Sequence, residues 1–362
     1  MKRRRSEYDV SNRIKTTDPT VVNAEVDRIF TRLYPREATG QIDQAFEDIA
    51  ALYRGDRQGY VACDTPYHDI QHVLDVTLAM ARLMDGYERR KFGDASLDAP
   101  LFRLGIVTAL FHDCGYVRTL DDELHQSGSE LTLTHVSRGA QFLRAYLPSI
   151  GMGEAADIAA RLIHFTGFET SVANITMPSL RHRFLGCMLG SADIIAQMAD
   201  RCYLEKCRDR LFPEFVAAGI ARKRLPDGEE QVVYASGEDL VLKTPQFYEA
   251  AMRRLESDLA GVYHFAGRHF GGKHLYMEEI AKNIRFAQHL SREAERSALR
   301  RSPPPALASN FEECTRLGAP EGSRWSSLSA MPRRRHATEG DSAQEETPAL
   351  VLPDENHTRF GA

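Results

Sequence analysis

Apolar residues recur at intervals of three to four along this chain, from residue 18 to about residue 298. This period places one apolar stripe along each segment and is typical of amphipathic α-helices. The pattern contains neither internal repeats nor the alternation of strands and helices that would indicate a parallel sheet. The sequence therefore predicts an all-α body over residues 18–300, preceded by a disordered N terminus over residues 1–17.

Composition limits the class of protein to which this body can belong. With 362 residues and a hydrophobic content of 43%, the chain can bury a sizeable core. A net charge of -5 gives no bias toward nucleic acids or acidic membranes, so we expect neither as a partner. The longest apolar run, residues 101–111, is too short to span a bilayer, and the cysteines show no paired spacing. We therefore expect a reduced, cytoplasmic protein.

The composition changes abruptly after Arg301. Residues 301–362 are rich in Pro, Ser, Gly and Glu and lack the apolar period of the body. Such a segment buries too little apolar surface to offset the entropy lost on ordering. We expect this tail to be disordered and to carry no chemistry.

Histidines and aspartates interrupt the apolar helices at separate points. Two of them lie four residues apart in the stretch 64–84, which reads as one helix capped by Asp64 or Thr65, with Pro66 in its first turn. Burial of unpaired polar or charged groups is costly, and a shared cation would satisfy all of them at once. The set, in chain order, is His68, His72, His112, Asp113, His135, His164 and Asp193.

Each of these residues has an ordinary explanation when it is taken alone. A single histidine in an apolar helix is usually a hydrogen-bonded core residue, and Asp193 could equally be a helix cap. A His-Asp dipeptide such as His112-Asp113 also arises by chance. The hypothesis of a metal site therefore depends on the whole set and its order.

The order H…HD…D on an all-α body resembles the signature of the HD-domain metal-dependent phosphohydrolases. The stretch YHDIQHVLDV, residues 67–76, is also similar to the YHNxxHAxDV stretch of class I cyclic-nucleotide phosphodiesterases. Asp69 stands in place of Asn, and Val73 in place of Ala. By motif, the resemblance covers residues 60–200.

The resemblance implies a dinuclear site for divalent metal ions. It assigns His72, His112, Asp113 and Asp193 to one metal, with Asp113 bridging to the second. It makes His68 the proton donor to the leaving group, which would explain why two rings share one helix face. Mixed histidine and carboxylate ligands suit Fe, Mn, Zn or Co and admit Mg, and the sequence does not select among them.

Two features depart from the phosphodiesterase pattern. Those enzymes have a further histidine three residues after the HD aspartate, where this chain has Tyr116. His135 and His164 instead resemble the extra histidines of HD-GYP-type proteins, which ligate the second metal. Gln246, followed by Phe247, is a weaker match to the base-recognising glutamine of the phosphodiesterases. The alternative for Gln246 is a solvated residue in the first turn of a helix.

Together, these observations predict a cytoplasmic, dinuclear metal phosphohydrolase with an HD-domain helical bundle. Its expected partner is a small-molecule phosphodiester or nucleotide, with a cyclic nucleotide favoured as substrate. Two alternatives remain open. One is a histidine-rich di-iron oxygenase of the HD type, and the other is a non-catalytic ligand-binding or scaffold protein that keeps a metal for stability.

Overall fold

The structure, a computed structural model, describes residues 4–90, 96–224, 229–292 and 299–306. Helices dominate these residues, and the strands among them form a single short hairpin, so the predicted all-α class is confirmed. No helix in these ranges is both long and apolar enough to cross a membrane. The disorder expected for the tail concerns residues that, beyond 306, lie outside the described ranges.

The helices are numbered in chain order. They are α1 (Pro19–Leu33), α2 (Gly40–Arg54), α3 (Ile70–Glu88), α4 (Ala99–Leu110), α5 (His135–Tyr146), α6 (Ala156–Leu162), α7 (Leu180–Ala199), α8 (Tyr203–Lys206), α9 (Phe212–Ala217), α10 (Gly237–Arg253), α11 (Phe265–His269) and α12 (Leu275–Arg292). The hairpin pairs β1 (Arg222–Arg224) with β2 (Glu230–Val232) in antiparallel register.

Helix α3 forms the centre of the fold. It is buried on almost every side because α1, α4, α7 and α11 surround it. Gly86 permits the closest of these approaches, since a Cβ atom there would lie 1.8 Å from the backbone oxygen of Phe265 at the start of α11. The core therefore holds α3 in a fixed position relative to α4 and α7, which carry other residues of the predicted set.

Residues 4–17 lie against the helical body, contrary to the disorder expected for residues 1–17. Arg82 on α3 donates a hydrogen bond from Nη2 to Oδ2 of Asp9 at 2.5 Å, and both side chains are 2% exposed. Arg4 donates to the backbone oxygen of Ala199 at the end of α7, at 2.7 Å. Individual polar contacts with distant residues hold residues 4–17 in place. Such contacts produce no apolar period, so the sequence pattern did not indicate them.

We expect Asp9→Asn to lower the free energy of unfolding by about 3–5 kcal/mol, because it leaves the Arg82 charge buried without its partner. The exposed pair of Arg54 and Asp56 provides a control, since Asp56→Asn should cost about 0–1 kcal/mol. Urea denaturation of the three proteins at neutral pH measures both effects. Equal midpoints for the two variants would contradict an anchoring role for Asp9.

The same pair makes stability depend on pH in the acid range. Burial raises the pKa of Asp9, but Arg82 and hydrogen bonds from neighbouring backbone N–H groups outweigh burial and lower it from 3.8 to about 2. A carboxylate with a depressed pKa stabilises the fold above its unfolded-state pKa. We therefore expect about 2 kcal/mol of stability to be lost as the pH falls from about 4 to about 2, and this loss should be smaller in Asp9→Asn.

Residues 244–267 do not form one continuous helix. Helix α10 begins earlier, at Gly237, because the side chain of Ser236 accepts a hydrogen bond from the backbone N–H of Asp239. A π-helical turn, Arg254–Asp258, follows it directly. The chain then breaks at Ala260 and Gly261, whose φ angles are 56° and 64°, before α11 begins.

Candidate metal centre

His68 precedes helix α3, so the expected shared helix face for His68 and His72 is wrong. Helix α3 begins at Ile70 because the side chain of Asp69 accepts a hydrogen bond from the backbone N–H of His72, at 3.0 Å. Asp64 does not cap this helix; its side chain accepts from the backbone N–H of Gly128 at 2.7 Å. His72 therefore lies in the first turn of α3, and His68 lies in the turn before it.

Four residues of the predicted set meet at one buried point. The Nε2 atom of His72 lies 3.2 Å from Oδ2 of Asp113 and 3.4 Å from Oδ1 of Asp193. The Nε2 atom of His112 lies 3.2 Å from the same Oδ2 of Asp113. His72, His112 and Asp113 together offer three ligand atoms that could hold a metal ion. The fold thus gathers residues from α3, from the end of α4 and from α7.

Two atoms at this point are buried and lack a hydrogen-bond partner, namely Nε2 of His112 and Oδ2 of Asp113. Nδ1 of His112 donates to the backbone oxygen of Ala109 at 2.8 Å, which turns Nε2 toward Asp113. Metal-ligating histidines commonly donate their other ring N–H in this way. The orientation of the ring and the unpartnered oxygen both fit a bound cation.

The electrostatics of the cluster also favour positive charge there. Burial lowers the pKa of His72, but the adjacent carboxylates of Asp113 and Asp193 outweigh burial and raise it to about 10. Burial raises the pKa of Asp113, whereas the rings of His112 and His72 hold it well below its usual range. The carboxylates of Asp113 and Asp193 favour a proton on the ring of His72. A divalent cation would replace this proton, because an imidazole must be neutral to ligate a metal.

His135 lies beside this cluster at the first residue of α5. Its Nε2 atom lies 3.6 Å from Oδ1 of Asp113, and its Nδ1 donates to the backbone oxygen of Thr132 at 2.6 Å. Burial lowers the pKa of His135, although Asp113 opposes this effect. A neutral imidazole with its Nε2 directed at Asp113 fits the ligand role predicted for His135.

Gly115 makes this approach of α5 possible. A Cβ atom at Gly115 would lie only 1.8 Å from the backbone oxygen of His135. The turn after His112 and Asp113 can therefore pack directly against the first residue of α5, and any side chain at position 115 would push the two segments apart.

We expect Gly115→Ala to lower the free energy of unfolding by about 1–3 kcal/mol, the usual cost of overpacking. It should also reduce metal retention, because displacing α5 moves His135 away from Asp113. Gly40→Ala is a matched control, since nothing lies within 4 Å of its added Cβ. Thermal unfolding and metal analysis of both variants test this. Full metal retention in Gly115→Ala would contradict the role assigned to His135.

The ring of His68 is held on two sides. Its Nδ1 atom lies 2.5 Å from Oε2 of Glu214, a buried carboxylate that also accepts from the backbone N–H of Tyr67 at 2.6 Å. Its face stacks on Tyr116, with ring centroids 4.4 Å apart, and Tyr116 also stacks on His135, at 4.3 Å. Tyr116 therefore contacts both imidazoles, whose own centroids lie 6.4 Å apart with their planes tilted by 33°.

Sequence reasoning did not identify Glu214 as part of the site. Glu214 lies on α9, 146 residues after His68, and no spacing pattern connects the two. The only available signal was a carboxylate beside Pro213 in a broken helix, which is common on protein surfaces. The position of Tyr116 was noted only because it departs from the phosphodiesterase pattern, not because of its stacking.

The structure does not connect the two remaining candidates to the cluster. His164 lies in the short 3₁₀ segment Ile163–Phe165 after α6. Among the described residues, no ion pair or ring contact links it to Asp113 or His135. Gln246 is exposed on α10, at a position well beyond the first turn. Its substrate-binding role therefore stays a prediction, as does the ligand role of His164.

Fold and site together define an all-α protein with a buried histidine and aspartate cluster that could hold a metal ion. Residues 17–260 match the Npun_R2479-like family, and the chain belongs to that family. The match includes α1 to α10 and every candidate from His68 to Gln246. Neither the curated proteins nor the solved structures contain a match to the chain. The family description states no activity, so the geometry of the site must support any proposal.

Proposed function

We propose that this chain is a metal-dependent phosphohydrolase that cleaves a phosphodiester, with cyclic nucleotides as the favoured substrates. The observation that carries the proposal is one juxtaposition. A buried cluster suited to a cation lies beside His68, whose ring centroid is 5.8 Å from that of His72 and whose Nδ1 contacts Glu214. Cleavage of a phosphodiester with an alkoxide leaving group uses both parts, an electrophilic centre and a proton donor.

Five residues are the proposed metal ligands. His72, His112, Asp113 and Asp193 would hold the cation, and His135 would extend the site beside Asp113. When bound, a divalent cation supplies Lewis-acid stabilisation of a phosphoryl group. A second cation, as the resemblance implies, would use Asp113 as the shared ligand.

His68 is the proposed proton donor to the leaving oxygen. Glu214 accepts the Nδ1–H, orients the ring and compensates a positive charge on it. Nε2 is then the ring nitrogen that can donate to a substrate atom. Tyr116 restrains the plane of the ring by stacking, so Nε2 keeps one direction relative to the cluster.

A second candidate is an oxidative protein with a di-iron site. The observation in its favour is the half-buried ring of His135 beside Asp113, because imidazole ligands suit iron. The non-catalytic alternative has no use for the contact between His68 and Glu214. Phosphodiester cleavage therefore accounts for more of the geometry than either alternative.

Metal analysis combined with an activity screen tests the proposal. The full chain, before and after EDTA treatment, would be assayed with bis(4-nitrophenyl) phosphate and with cyclic mono- and dinucleotides. We expect bound transition metal, hydrolysis that is lost with EDTA, and equal rates with and without oxygen. Hydrolysis that requires oxygen would favour the di-iron alternative, and a metal-loaded chain that cleaves no phosphodiester would contradict the proposal.

A further inference from the structure

A second group of unpartnered polar atoms lies where the turn after α10 packs against the segment after α6. Arg254 begins the π-helical turn after α10, and π-helical turns are frequent at functional sites. Its Nη2 atom donates to the backbone oxygens of Phe165 and Gly167, at 2.9 and 2.7 Å. Its guanidinium carbon lies 4.2 Å from the ring centroid of Phe168, a side chain that is 54% exposed.

These contacts leave Arg254 incompletely satisfied. Its Nε atom is buried and has no hydrogen-bond partner, and Oε2 of Glu169 is in the same condition. Among the described residues, no carboxylate lies within ion-pair distance of Arg254. The guanidinium of this half-buried residue donates only to neutral carbonyl groups, although charges taken out of water normally have an ionic partner. Arg254 therefore lacks a hydrogen-bonded anionic partner.

The position of Arg254 relates it to the metal centre. The backbone oxygen of Phe165 packs closely against Gly190 on α7, where an added Cβ atom would lie only 2.4 Å from it. Arg254 donates to that same oxygen. Asp193 follows Gly190 by three residues, so both lie on one side of α7. Burial lowers the pKa of Arg254, and Asp193 opposes this more strongly than Asp258 or Glu169.

We propose that Arg254 is a substrate-binding residue that holds a second anionic group, a phosphate beyond the phosphodiester cleaved at the metal centre. The inference rests on the proposed function, and it narrows the substrate class to phosphodiesters that carry an additional phosphate. Arginine suits this role because its planar guanidinium presents several donors to phosphate oxygens.

A matched pair of chromogenic substrates tests this inference with the full, metal-loaded chain. The two are the 4-nitrophenyl ester of thymidine 5′-phosphate and the same ester with an added 3′-phosphate. We expect the wild type to show a kcat/KM at least about tenfold higher for the doubly phosphorylated ester, the effect of one hydrogen bond to a charged group. Arg254→Gln should bring this ratio close to one, mainly through KM. Arg253→Gln, on the exposed neighbouring residue, should leave the ratio unchanged.

Pyrophosphate binding to the metal-free chain provides a readout that needs no catalysis. Calorimetry should show a dissociation constant about tenfold higher in Arg254→Gln than in the wild type and in Arg253→Gln. If Arg254 only clamps the loop after α6, its replacement should lower the melting temperature and slow both esters alike, and the inference would be overturned. If Arg254→Gln does not fold, the wild type itself decides, because a kcat/KM ratio close to one for the two esters would overturn the inference.

The failure of the inference and the failure of the proposed function are distinguishable. Hydrolysis of both esters with a ratio insensitive to Arg254 would overturn the substrate class and leave the phosphohydrolase proposal standing. A wild type that hydrolyses neither ester would contradict the proposed function, while the pyrophosphate measurement would still decide whether Arg254 binds an anion.

Discussion

Asp113→Ala is expected to strip the protein of its metal and to reduce hydrolysis to background. Among the described residues, Asp113 alone lies within ion-pair distance of the imidazoles of His72, His112 and His135. Replacing an outer partner of a metal ligand typically weakens affinity by about 10–100-fold, and removing the central carboxylate should have a larger effect. Elemental analysis after desalting measures the loss directly.

The melting temperature gives a second readout of the same variant. Metal binding is coupled to folding, so the wild type should lose thermal stability with EDTA, whereas Asp113→Ala should respond little. Asp157→Ala is a suitable control, because its side chain is 74% exposed on α6, away from the cluster. Full metal occupancy in Asp113→Ala would show that the unpartnered atoms of the cluster serve another purpose.

His68→Ala is expected to leave metal content and fold intact and to reduce turnover of an alkyl phosphodiester by about 10²–10⁴-fold, the usual contribution of general acid catalysis. The loss should shrink for bis(4-nitrophenyl) phosphate, because nitrophenolate leaves as a stable anion and needs no proton. His68 contacts Glu214 rather than the carboxylates of the cluster, which is why the metal should remain.

Three outcomes distinguish the possible roles of His68. Depleted metal with equal losses on both substrates would identify a ligand, and lower stability with unchanged specific activity would identify a packing residue. Equal losses at full metal occupancy would argue against proton donation. Glu214→Gln is the companion variant, since it keeps the shape of the side chain but removes its charge. We expect it to reproduce part of the loss for the alkyl ester and to shift the pH profile of turnover.

The sequence alone was sufficient for the class of fold. The 3.6-residue period depends only on which side of each helix faces the core, so it can be read without knowing which helices are neighbours. Capping chemistry was read less well, because Asp64, Thr65 and Asp69 are all competent N-cap residues. In the structure Asp69 is the N-cap of α3, and the carboxylate of Asp64 instead accepts a hydrogen bond from the backbone N–H of Gly128.

The resemblance to the HD-domain phosphohydrolases assigned His72, His112, Asp113 and Asp193 to one metal, and the structure brings these four together. The local sequence could not show which distant residues would contact the candidate site and the helices around it. Glu214 reaches His68, Asp9 reaches Arg82, and Arg254 reaches Phe165 only through the packing of distant helices. Helical periodicity and ligand types are local properties, whereas contacts across long separations depend on how whole helices pack. The sequence by itself therefore determined the helical class and supplied the candidate ligands, and the tertiary structure decided which of these candidates lie together and which groups surround them.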